Sequence, residues 1–283
     1  MVDLKKMQKE IYQNKVNKGF NVTDINKDKH IKKRTNAIRR LTMKDDKKAL
    51  VLFSGGKDSL IVTLRLLDSN YKVYLVTHEN GCGLKTENVN NTIERLVKKY
   101  GTEKIENIGI KNISGFFREF IYPFYNYTSS YIKENYGDIT ISQFNCLACR
   151  LSMYIASIIL CNRYNIKNVF DGARRSQLFA IEQREMLNKF EKLFSENGIN
   201  INYPLENETD DWKLKNELLL RGIVPKTLEP QCLLGVPTPS NEKEGLSKNV
   251  LMATTNVYEK YLKQKAKEII DRYKDLKLNG DFI

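Results

Sequence analysis

One hexapeptide constrains this chain more than any other feature. Ser54-Gly55-Gly56-Lys57-Asp58-Ser59 falls between an apolar run at residues 49–53 and an amphipathic segment at 58–67. A strand that turns through two glycines into a helix offers a row of backbone N–H groups and the positive end of the helix dipole to an anion. Glycine lets the backbone turn sharply and approach phosphate oxygens with no Cβ in the way. Lys57 adds charge, and Ser54 and Ser59 add hydroxyl donors. The loop is too short for a Walker A motif, which ends in Gly-Lys-Ser/Thr. Chance supplies six such specified residues in a chain of this length with a probability on the order of 10⁻⁵.

The alternation of strand and helix continues downstream. Residues 73–77, 105–110 and 169–170 read as strands, and 88–100 and 149–164 as helices. Strands separated by helix-length segments require right-handed crossovers, hence a parallel sheet. The fold class expected is α/β, a doubly wound parallel sheet with helical N- and C-terminal extensions. Residues 1–45 read as a basic helical extension, with Leu4, Met7, Ile11 and Tyr12 on one stripe and a very basic stretch at 27–40. Residues 46–205 carry the α/β domain, and 206–283 a helical region that includes Cys232. Residues 186–203 read as a connection, Tyr203-Pro204-Leu205 as the end of a strand, and 210–220 and 257–273 as helices. The aromatics between Phe116 and Tyr136 are expected in the core, with base stacking as the alternative.

No run of eighteen apolar residues occurs, and no apolar h-region follows the basic N-terminus, so a cytoplasmic location and no membrane contact are expected. Lys and Arg number 47 against 34 Asp and Glu, a net charge of +13. Such an excess attracts polyanions, which makes a nucleic-acid substrate the expectation; a Lys-rich solvated surface accounts for the same numbers. Five cysteines in a chain with no mark of secretion point to thiolate or metal chemistry rather than to disulfides. Cys146-Leu147-Ala148-Cys149-Arg150 is expected to open a helix, where the dipole lowers a thiol pKa. Cys232 lies in a loop-like segment. On their own residues these three are compatible with a metal site such as structural Zn²⁺, a redox or persulfide-carrying pair, or core thiols. Cys82 and Cys161 stand apart, and Cys161 beside Ile158, Ile159 and Leu160 reads as a buried inert thiol.

The hexapeptide resembles the PP-loop of the N-type ATP pyrophosphatase superfamily, whose fold is adenine nucleotide alpha hydrolase-like. The resemblance implies that ATP is cleaved between its α- and β-phosphates. Ser54, Gly55, Gly56, Lys57, Asp58 and Ser59 would bind it, with Lys57 and Asp58 catalytic. Asp58 would help hold Mg²⁺, or else cap the following helix. Thr77-His78-Glu79-Asn80-Gly81 would line the adenine pocket, which makes His78 an ATP-binding candidate. With Cys-x-x-Cys-Arg and one distal Cys, residues 35–240 are similar to the tRNA 2-thiolation enzymes of the 2-thiocytidine synthetase type. That likeness implies a 4Fe–4S cluster on Cys146, Cys149 and Cys232 with one iron lacking a protein ligand, and sulfur transfer to an adenylated tRNA or other nucleobase. Cys146 and Cys149 would then act in catalysis, a sulfur donor protein or sulfide would supply the sulfur, and a homodimer would be in keeping with relatives. Zn²⁺ is the alternative metal.

The chain departs from that pattern at Phe170-Asp171-Gly172-Ala173-Arg174-Arg175-Ser176-Gln177, where thiolation enzymes usually carry Gly-His-x-x-Asp-Asp. This segment, Tyr203-Pro204-Leu205 and Asp211-Trp212 resemble the phosphoadenylyl sulfate reductase branch. In that light Arg174 and Arg175 bind a substrate anion through paired N–H donors, or else form a solvated helix start. No cysteine follows Cys232, which argues against a sulfonucleotide reductase. The same residues are also compatible with an amide- or nitrile-forming ligase with structural zinc, with sulfonucleotide or DNA phosphorothioation chemistry, and with a nucleotide-binding module without turnover.

Overall fold

Strand β1 (Lys48–Leu52) is buried on both faces, and its alternating side chains go to two different cores. Ala49, Val51 and Phe53 join one apolar cluster, Leu50 and Leu52 the other. A strand covered on both sides belongs at the centre of a sheet with helices above and below. The computed structural model, which describes residues 47–84, 86–224, 231–234 and 246–274, shows that arrangement. The expected extension at 1–45 lies outside the described residues.

Strands β2 (Lys72–Glu79), β4 (Ile105–Asn112), β5 (Asn168–Phe170) and β6 (Asn200–Asn202) complete a sheet of order β4-β2-β1-β5-β6, every pairing parallel. The parallel doubly wound sheet expected from the sequence is therefore present. Successive strands are added on one side of β1 and then on the other, so the chain reverses its winding between β1 and β5. The loops leaving those two strands diverge, and ligands of open α/β sheets bind in that crevice. A separate antiparallel ladder joins β3 (Gly83–Leu84) to β7 (Gln231–Cys232).

On one face lie α1 (Lys57–Asp68), α2 (Val89–Tyr100) and α7 (Asp211–Leu220). On the other lie α3 (Ser114–Tyr125), α4 (Ser129–Tyr136), α5 (Ile141–Tyr164), α6 (Arg184–Ser195), α8 (Lys248–Val257) and α9 (Lys263–Lys274), the last two joined by a π-helical stretch at Tyr258–Leu262. The terminal helical run thus begins at Lys248, ahead of the expected start at 257.

Two expectations are corrected. The stretch expected to connect residues 186–203 contains α6, whose Met186, Leu187, Phe190, Leu193 and Phe194 recur at helical spacing and are buried. Helix α5 begins at Ile141 rather than near Cys149, because Thr140 and Gln143 form a capping box: Gln143 N–H donates to Thr140 Oγ1 at 3.2 Å, and Thr140 N–H to Gln143 Oε1 at 3.0 Å. Asn165, left-handed at φ 50°, ends the helix. By length and composition α5 is apolar enough to cross a membrane, yet 72% of its most apolar stretch is buried inside the protein. Its hydrophobicity serves the core.

The aromatic segment behaves as core for Phe116, Phe117, Phe120 and Phe124, while Tyr122, Tyr125 and Tyr131 remain exposed. Phe124 stacks on Phe144 of α5 with centroids 3.7 Å apart. Phe144→Ala is expected to cost about 3–5 kcal/mol, since it removes a fully buried ring and leaves a cavity. The measurement is urea unfolding, with a lowered midpoint at unchanged slope.

Candidate functional site

The hexapeptide lies at the C-terminal end of β1, beside the crevice. Gly55 has φ +78°, and a Cβ there would meet Val89 Cγ2 at 3.2 Å, so both backbone angle and space call for glycine. Gly56 is the N-cap of α1, and its N–H donates to Ser54 Oγ at 3.3 Å. The Ser54 and Ser59 hydroxyls lie 3.2 Å apart, and Ser59 Oγ donates to Gly56 O at 3.1 Å. Thr77 of β2 pins the strand end by donating to Phe53 O at 2.6 Å. Gly172, from the loop after β5, fits against the start of α1, where a Cβ would come within 3.1 Å of the Ser59 backbone nitrogen. That close approach gives Gly172 a role the sequence reading did not assign.

Asp58 sits in the first turn of α1, with the cap position held by Gly56. Its Oδ2 accepts from Gln177 Nε2 at 3.2 Å and pairs with Arg174 Nε at 3.1 Å. Arg174 is buried and its Nη2 donates to Asp211 Oδ1 at 3.1 Å. Lys57 Nζ pairs with the same Asp211 oxygen. Hydrogen bonding from Lys57, with help from Lys215 and Arg174, holds the Asp211 carboxyl well below the usual carboxylate range. Two cations of the crevice thus converge on one carboxylate from the first turn of α7. Arg175 is separated from this group: it is exposed and reaches Asn207 Oδ1 at 3.5 Å. Only one of the two candidate arginines faces the loop.

A second group lies behind the crevice. Asp171, at the end of β5, accepts from Arg150 Nη1 at 2.6 Å, Tyr154 Oη at 2.7 Å and Ala173 N–H at 3.1 Å. Arg150 Nη2 also donates to Glu182 Oε1 at 2.9 Å. Burial pushes the Glu182 carboxyl up to about 7, against the opposing charge of Arg150. His78, at the end of β2, has both ring nitrogens sealed from solvent with no hydrogen-bond partner among the described residues. Burial lowers its pKa to about 3, so the ring is neutral. Sequence reasoning missed Asp171, Arg150 and Glu182 as site residues; the signal was Arg150 directly after the second cysteine of the pair.

Cys146 and Cys149 stand in the second and third turns of α5, three residues apart and so on one face. The expected lowering of their pKa is reversed. The dipole acts within the first turn, and burial dominates beyond it: Cys146 is pushed up to about 11 and Cys149 to about 12. Cys82, Cys146 and Cys149 each also feel the charge of Cys232, which is exposed on β7. Cys161 is buried in the α5 core, as expected. Among the described residues no three His, Cys, Asp or Glu side chains close on a common point as metal ligands.

No protein-family model and no curated protein matches the chain. Among solved structures, it is similar to a 4-thiouridine synthetase determined as an RNA complex with bound ATP, with a TM-score of 0.56 at 14% identity. That likeness covers 80% of this chain and 53% of the synthetase, so the chain spans about half the length of that protein. NMN synthetase from Francisella tularensis is similar with a TM-score of 0.43 at 15% identity, over 86% of this chain and 92% of that one.

The Glu182 environment has a consequence for stability. Between its ordinary value of 4.5 and about 7, the folded protein retains a proton that the unfolded chain has released. Stability therefore falls as pH rises through that window, by on the order of 3 kcal/mol in all. Urea unfolding of Glu182→Gln, which cannot titrate, is expected to lack this part of the slope.

Proposed function

We propose that this chain, which has the fold of the PP-loop ATP pyrophosphatases, binds ATP at the 54–59 loop, adenylates a substrate oxygen and then exchanges that oxygen for sulfur, on a tRNA or another nucleobase. The observation that carries the reading is the loop itself: a glycine turn at the end of β1, at the switch point, with Lys57 and Arg174 beside it. A cradle of N–H groups and two cations suits a polyphosphate better than any neutral ligand.

In the first step the substrate oxygen attacks the α-phosphorus, the bond to the bridging oxygen breaks, and pyrophosphate leaves. Negative charge shifts onto the leaving oxygens, where the N–H groups of α1 and Lys57 stabilise it more than in the ground state. Asp58 would hold the Mg²⁺ that accompanies ATP. The end of β2, at residues 77–81, would line the adenine pocket, with the neutral His78 ring buried behind its surface. In the second step sulfur takes the place of the adenylated oxygen, and AMP departs.

For the sulfur, the donor set fits a thiophilic metal in kind. Cys146 and Cys149 lie on one face of α5 within reach of the charge of Cys232, and both are neutral thiols that would lose their protons on coordination. These three would hold a 4Fe–4S cluster, which when bound supplies an iron able to carry sulfide. Support for a nucleic-acid acceptor comes from the net charge of +13, much of it ahead of residue 46 in a proposed basic extension, and from the RNA-bound state of the similar synthetase. A sulfur donor protein or free sulfide, a homodimer and a cytoplasmic setting complete the proposal.

The test is pyrophosphate release from ATP in the presence of bulk tRNA, followed by mass analysis of the nucleosides. Lys57→Ala is expected to lower the rate by about 10²-fold or more. ATP turnover that leaves no thiolated nucleoside would sink the sulfur step and keep the adenylation. Anaerobic purification of wild type and Cys146→Ala is expected to show iron and sulfide in the first only; zinc without iron would overturn the cluster.

A further inference from the structure

Cys82 matches no position of the three-cysteine pattern, yet the fold brings it beside Cys232 and links it to Cys149 through Asn80. The β3–β7 ladder pairs Gly83 with Cys232, and Leu233 N–H donates to Cys82 O at 2.8 Å. Cys82 and Cys232 are thereby tied together across two short strands. A single side chain then joins this ladder to α5: Asn80 Oδ1 accepts from Cys82 N–H at 2.8 Å, and Asn80 Nδ2 donates to Cys149 Sγ at 3.1 Å. Cys146 stands one turn before Cys149 on the same helix. The fifth cysteine, Cys161, lies further along α5 in the core and serves as an internal contrast.

We propose that Cys82 is a fourth metal ligand, so that the metal is held by two thiolates from α5 and two from the β3–β7 ladder, and that Asn80 positions Cys82 against Cys149. The inference rests on the metal reading given above and changes its stoichiometry. Four thiolates in two pairs are a donor set that thiophilic metals take up, whether as one tetrahedral ion or as a cluster. The two pairs sit on different elements, one a rigid helix and the other a ladder of two residues per strand at the surface. Among the described residues these thiols do not close on a common point, so metal binding would have to draw the two pairs together. Cys82 would then compete with exogenous sulfide for the coordination position that a three-cysteine site leaves open.

The experiment uses the full chain, stripped of metal under anaerobic conditions and titrated with Co²⁺. Thiol labelling with iodoacetamide, mapped by mass spectrometry before and after Co²⁺, reads each cysteine in the wild-type protein without any substitution. Cys82, Cys146, Cys149 and Cys232 are expected to become protected together, with Cys161 unchanged by the metal. In Cys82→Ser the thiolate-to-Co²⁺ charge-transfer absorbance should fall by about one quarter, as one of four thiolates is lost, while Cys161→Ser retains the wild-type spectrum. Protection of the other three with Cys82 labelled at its metal-free rate overturns this proposal and leaves the metal reading intact. Absence of Co²⁺ binding by the wild type, with no iron taken up, overturns both.

Discussion

Asp171 is almost wholly buried at the end of β5, and a carboxyl group in that position survives only where hydrogen bonds replace lost hydration. Arg150, Tyr154 and the Ala173 N–H provide them. Each donor comes from a piece the site needs in place. Arg150 and Tyr154 belong to the helix that carries the Cys146–Cys149 pair, and Ala173 to the loop whose Gly172 and Arg174 touch the start of α1. This carboxylate therefore ties the thiol helix to the loop after β5, which packs on the start of α1. Loss of one partner of such a buried pair typically costs about 3–5 kcal/mol, because the other is left unpaired.

At the mouth of the crevice the electrostatics are different in kind. Lys57, Arg174 and Asp211 meet near solvent, and the Asp211 side chain is 41% exposed. The carboxylate neutralises cations that would otherwise repel one another. An incoming anion has to compete with it, so binding exchanges one negative partner for another rather than filling an uncompensated positive site.

What can be read in advance divides by range. The hexapeptide, the β1 and β4 strands and the acidic start of α7 are local patterns, and the structure places all of them near their expected bounds. The capping box at Thr140 and the apolar spacing of α6 are equally local, but the cysteine pair masks the first and a stretch with no motif of its own hides the second. Other features have no local signal. Lys57 meets Asp211 across 154 residues, and Cys82 meets Cys149 through Asn80 only once β2 and α5 are packed. The direction of the thiol shifts escapes the sequence for the same reason: the dipole is a property of the helix, whereas burial is a property of everything around it.

The sheet order also imposes a timetable. Leu50 of β1 gains Tyr74 of β2 as a neighbour early, but its other side waits for Val169 of β5, more than a hundred residues further along the chain. At a synthesis rate of about 5–20 residues per second, that gap is on the order of ten seconds. During it the glycine turn has one wall and not the other, and an apolar strand edge stands uncovered. Until β5 arrives that edge is open to non-native pairing, and a truncated product would keep the loop while lacking the crevice.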